Sequence, residues 1–186
     1  MSEAIKNAAA AASKVVAGVR PDQLDGPTPC ADFDVRALGN HMTGFLPYGA
    51  NAVRRGPEME GEAPDFTQSD WAATYEGLAH DLVAAWGEDG AMEGELEFGS
   101  GPMPAERAAA ITLMELTVHA WDLAKATGQT HTLDPATEAM AAGVTAQAGP
   151  NGREGGFFGP EVAVSDDASD WERALGQAGR DPNWAA

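Results

Sequence analysis

The sequence predicts an all-α protein, a helical bundle with a short strap and an irregular tail, on three observations. Apolar residues recur at three- and four-residue spacing through five segments, each bounded by a cap residue, a proline or a glycine. Strand-like alternation is confined to residues 91–98, a weak pattern that fits a short strand or an extended strap. Residues 104–127 are apolar around most of a helical circumference, as in a helix buried on several sides.

Residues 2–19 form the first expected helix, with Ile5, Ala8, Ala12, Val15, Val16 and Val19 on one face and Pro21 as its stop. Gly26-Pro27-Thr28-Pro29-Cys30 then reads as a rigid connector, because proline fixes φ and excludes helix at the residue before it. A second helix starts after Asp34 as N-cap and runs toward Arg55, with Gly56 as its stop; Pro47 is expected to kink it or end it early. After a loop over residues 56–66, residues 69–86 carry Trp71, Tyr75, Leu78, Leu82 and Trp86 at helical spacing.

The strap at 91–98 leads to a fourth helix, with Pro104 at its first position and Gly128 at its end. A fifth helix is expected over residues 135–148 with Asp134 as N-cap, and residues 149–159 are too glycine-rich for regular structure. The remaining chain holds one short helix at 169–177, and Trp171 and Trp184 point to a tail that folds back on the body. The expectation is one domain over 1–186, a bundle core of about residues 1–148 with the tail of about 149–186 packed on it; a chain of 186 residues buries about 70% of its unfolded surface.

Twenty-nine acidic against eleven basic residues give a formal charge of −18, with Lys6, Lys14 and Lys125 the lysines. That balance disfavours nucleic acid or an anionic membrane as partner, since phosphate binding draws on clustered Lys and Arg. No signal-peptide pattern and no run of about 18 apolar residues occurs, so a cytoplasmic protein with a small-molecule substrate is expected, as monomer or homodimer. Cys30 has no cysteine to pair with and reads as a small buried hydrophobe.

The fourth helix has one polar slot. At 100° per residue, Asp122, Glu115, His119 and Thr112 fall in one sector about 80° wide, and Glu115 and His119, four apart, project together. Two metal ligands or one ion pair would fit. His41, at the edge of the apolar face of the second helix, is the natural third ligand: two imidazoles and one carboxylate from two helices make a facial triad with positions left open for water or substrate. His80 and His131 read as solvent-exposed, His131 close to a cavity rim. Asp122 supports His119 or pairs with Arg36, and Asp122, Tyr48 and Arg180 are the candidates for an acid or base beyond the triad.

The run Thr28-Pro29-Cys30-Ala31-Asp32-Phe33-Asp34-Val35-Arg36, leading into Asn40-His41-Met42-Thr43-Gly44, resembles the opening of the metal-binding proteins related to mycothiol-dependent maleylpyruvate isomerase, a family of DinB-like four-helix bundles. Glu115 to Gly128 resembles its second signature. Phe158-Gly159-Pro160 through Gly179-Arg180-Asp181-Pro182-Asn183-Trp184 is similar to its usual ending. The resemblance implies a DinB-like bundle whose metal is held by His41, Glu115 and His119. Phe33 stands where the family usually has tryptophan.

The implied chemistry is that of a thiol transferase or isomerase, in which the metal activates a low-molecular-weight thiol such as mycothiol for attack on a small electrophile. Zn2+ is first choice for the ion, with Ni2+, Fe2+ and Mn2+ as alternatives. The same triad also suits metal-activated water in a hydrolase, or a binding protein without turnover.

Overall fold

A computed structural model describes residues 1–57, 59, 61, 64–68, 70–99 and 101–185. Among them run helices α1 (Ser2–Ala17), α2 (Val35–Val53) and α3 (Trp71–Trp86), strands β1 (Glu95–Phe98) and β2 (Gly101–Pro104), and helices α4 (Ala105–Thr127), α5 (Pro135–Glu154) and α6 (Asp170–Gln177). Helix α1 packs on α3 and α4, and α2 packs on the same two, so the four enclose one core. The fold is an all-α, DinB-like four-helix bundle with α5 and α6 set against it. No helix among the described residues is long and apolar enough to cross a membrane.

The core grades from small to large side chains. Ala4, Ala8, Ala9 and Ala12 are buried on α1 and bring its backbone close to α3 and α4. Leu38 and Leu46 of α2, Tyr75, Leu82 and Trp86 of α3, and Leu113 and Leu123 of α4 fill the volume between; each full burial contributes about 1.5–3 kcal/mol. Four buried threonines satisfy their hydroxyls within their own helices: Thr43, Thr112, Thr117 and Thr127 each donate to the carbonyl four residues back.

Asp34 caps α2 by accepting from the Ala37 amide at 2.7 Å, and Asp134 caps α5 through the Ala136 and Thr137 amides. Asp70 caps α3; the expected start at Ser69 lies outside the described residues, as do residues 58, 60, 62 and 63 of the expected loop. Gly128 ends α4 in the left-handed region at φ 69°, a conformation glycine adopts without penalty.

Helix α2 does not end early at Pro47, and α5 runs on into the glycine-rich stretch that was expected to be irregular. Helix α2 continues through Pro47 to Val53, because Leu46, Gly49, Ala50 and Val53 are buried on both sides of it and packing outweighs one missing backbone bond. Helix α5 continues through Pro150 to Glu154, where Arg153 donates to the Gln177 carbonyl and pairs with Glu161 at 3.3 Å, tying this extra turn to α6 and the tail.

The strap is a two-stranded antiparallel hairpin with Leu96 opposite Met103 and Phe98 opposite Gly101. Leu96 and Phe98 face the bundle and Glu95 and Glu97 face water. The hairpin touches both α2 and α4.

Candidate metal centre

Helices α2 and α4 bring His41, Glu115 and His119 together. His41 Nε2 lies 3.1 Å and His119 Nε2 3.5 Å from Glu115 Oε2, and one ligand atom from each side chain lies within 4.8 Å of the others. The His41 side chain is 37% exposed and that of His119 12%, so the cluster opens to water on the α2 side. The donor set fits a divalent ion of the zinc class.

Support for His119 comes from its other ring nitrogen. Nδ1 lies 3.1 Å from Asp122 Oδ2, and an ionised carboxylate can only accept, so Nδ1 carries a proton and Nε2 is the nitrogen that could offer a lone pair to an ion. Asp122 is wholly buried and is bound in turn by Arg180, whose Nη2 and Nε donate to its two oxygens at 3.0 and 3.4 Å. Arg180 follows α6, and its Nη1 also donates to the Ala178 carbonyl at 2.7 Å. The pairing of Asp122 with Arg36 does not occur: Arg36, at the first turn of α2, bonds Asp25, Asp65 and Thr67.

The electrostatics follow from this stacking of charges. Burial pushes the Glu115 carboxyl up, but the His119 and His41 rings outweigh it and hold the group below its usual range. Burial pushes His119 down, and Glu115 and Asp122 more than reverse this. Burial likewise raises Asp122, while His119 and Arg180 lower it further than burial lifts it. The site thus favours the charged forms of Glu115, His119 and Asp122, and an ion bound there would compete with the proton on His119.

Two neighbours were missed in the sequence. The Phe33 ring stacks on His41 at 5.2 Å between centroids and meets His119 edge-on at 6.4 Å. The Cys30 sulfur, one Asp122 oxygen and one His119 nitrogen also lie within 4.8 Å of one another, and burial pushes the Cys30 thiol up. Both residues are placed by the connector: the Thr28 hydroxyl donates to the Phe33 carbonyl at 2.8 Å and accepts from the Cys30 amide at 3.1 Å. The signal available was the rigid run before the α2 cap, which forces those side chains back over the start of the helix.

Tyr48 lies two turns beyond His41 on α2. Its hydroxyl accepts from the Gly99 amide at 2.5 Å, which ties the hairpin tip to α2. His80 is exposed as expected. His131 is not: its Nε2 is buried without a partner among the described residues, and burial pushes the ring down to about 4.

Residues 5–124 match the family described as mycothiol maleylpyruvate isomerase N-terminal domain. The chain is also similar to two uncharacterized proteins of Mycobacterium tuberculosis, from strains CDC 1551 and H37Rv. Each is 34% identical over 157 residues, covering 82% of this chain and 79% of the relative. No solved structure matches at the same stringency.

Proposed function

The chain belongs to the mycothiol maleylpyruvate isomerase N-terminal domain family, and on that footing we propose that it is a metal-dependent thiol transferase or isomerase. His41, Glu115 and His119 are the ligands in this reading, and a low-molecular-weight thiol of the mycothiol class is the cosubstrate. A bound divalent ion would supply a thiolate near neutral pH. The sulfur lone pair forms the C–S bond to a small electrophile, and the thiol proton leaves to solvent. In a transfer the leaving group departs with its bonding pair. In an isomerisation the C–S bond breaks again after rotation about the former double bond, and the thiol is regenerated.

The chain's own part is positioning. Asp122, neutralised by Arg180, holds His119 in one tautomer, and the Phe33 ring fixes the plane of His41. The exposed side of His41 leaves room for sulfur and electrophile together.

The observation that carries the reading is the convergence of the three ligand atoms beside a His119 whose outer nitrogen is already occupied. Elemental analysis of protein expressed in metal-replete medium should find about one ion per chain, lost in His41→Ala and His119→Ala. A metal-free wild type overturns the site. With cobalt substituted, mycothiol should produce a sulfur-to-metal charge-transfer band; a spectrum unchanged by thiols counts against thiol chemistry and in favour of metal-activated water.

A further inference from the structure

Seven of the eight arginines are engaged: Arg20, Arg36, Arg54, Arg153 and Arg180 with carboxylates, Arg55 and Arg173 with backbone carbonyls. Among the described residues Arg107 has no such partner and is exposed. What sets Arg107 apart is that neither a carboxylate nor a carbonyl among the described residues engages it. Lys14 is unpaired too, but it ends α1, which supplies nothing to the metal centre.

Arg107 stands on the helix that holds Glu115 and His119. Residues 107, 111 and 115 succeed one another at four-residue spacing, so Arg107 is two turns, about 12 Å, from Glu115 along the axis. Ile111 and Met114 between them are only partly buried. Across the seam, α2 carries His41, Phe45 and Tyr48 at matching intervals, and these two aromatics are also partly buried. The hairpin lies over the far end of the seam, with Phe98 6.0 Å from Phe45 and 5.4 Å from Tyr48 between ring centroids.

Resting on the metal-thiol reading, we propose that this seam binds the second substrate, and that Arg107 receives its carboxylate. The substrate class is an electrophile with a carboxylate separated from the reacting carbon by an apolar or aromatic body. The apolar stretch between the metal centre and Arg107 has the length of that body once the reach of an arginine side chain is taken off.

Ligand-observed NMR with 4-phenylbutyrate and its amide tests this, using the wild type, Arg107→Gln and Arg107→Lys at low ionic strength. The acid should bind about fivefold more tightly than its amide. Arg107→Gln should abolish the preference over the amide, and Arg107→Lys should keep part of it. Arg107 is exposed, so both variants retain the fold. Equal binding of acid and amide to the wild type, a preference that survives Arg107→Gln, or no binding of any probe overturns the inference. Metal content and the cobalt–thiol spectrum, measured on the same samples, report separately on the centre. An intact cobalt–thiol band beside indifferent carboxylates sinks only this inference, whereas absent metal sinks the reading beneath it.

Discussion

Arg180 Nη2 sits 3.0 Å from Asp122 Oδ2, and both side chains are almost wholly withdrawn from water. Fifty-eight residues separate them in sequence, so the tail is joined to the metal-centre helix by a buried charge pair. Breaking a buried pair from one side leaves the other charge stranded.

Arg180→Met should therefore destabilise the protein by about 3 kcal/mol or more in urea denaturation, with the wild-type m-value. A loss below about 1 kcal/mol would mean that Asp122 finds another partner or water.

Asp122→Asn removes the charge and keeps the shape. Since His119 would lose its anionic acceptor, metal affinity should fall by about 10–100-fold with helix content unchanged by circular dichroism. Competition against a chromophoric chelator measures it, and unaltered affinity would show that Asp122 serves the tail alone.

Phe33→Ala should leave the core intact and release the His41 ring, weakening metal binding by a few-fold. Phe33→Trp keeps a stacking surface and should stay close to wild type. Equal affinities for all three proteins would remove Phe33 from the account of the site.

His131 makes a pH prediction of definite sign. Its folded value of about 4 lies below the ordinary histidine value, so the unfolded chain takes up the proton first. Stability is complete above about pH 6.5 and falls as pH drops toward 4, by on the order of 2 kcal/mol after allowance for partial exposure. His119 is shifted the opposite way and acts in the metal-free protein only as pH rises above about 6.5. His131→Gln should flatten the acid-side slope in thermal melts at pH 4.5–6.5; an unchanged slope would place its source elsewhere.

Much of the bundle was legible because caps and periodicity agreed. Asp34, Asp134 and Gly128 each stand where the sequence puts them, and the four-residue step from Glu115 to His119 survives into the structure. Pro47 and the glycines after residue 148 misled because a local rule was set against burial and an Arg153 tether that only the folded chain supplies. Strand β2, Gly-Pro-Met-Pro, carries no strand signal and exists because β1 needs a partner before α4 can begin. At the site, the ligand spacing lay within one helix and could be read. The choice of Arg180 over Arg36 for Asp122 could not, since it depends on where the tail returns.

That return has a consequence in time. The glycine before Arg180 sits at φ 79°, and a Cβ there would meet the Gly159 backbone at 3.0 Å, so the tail reaches Asp122 through a turn that no other residue fits. On the ribosome, α2 and α4, with His41, Glu115 and His119, emerge before Arg180 does. Until it arrives, the nascent bundle carries Asp122 without its counter-charge. The chain should therefore mature in two stages, with the geometry around His119 set only once Arg180 has emerged.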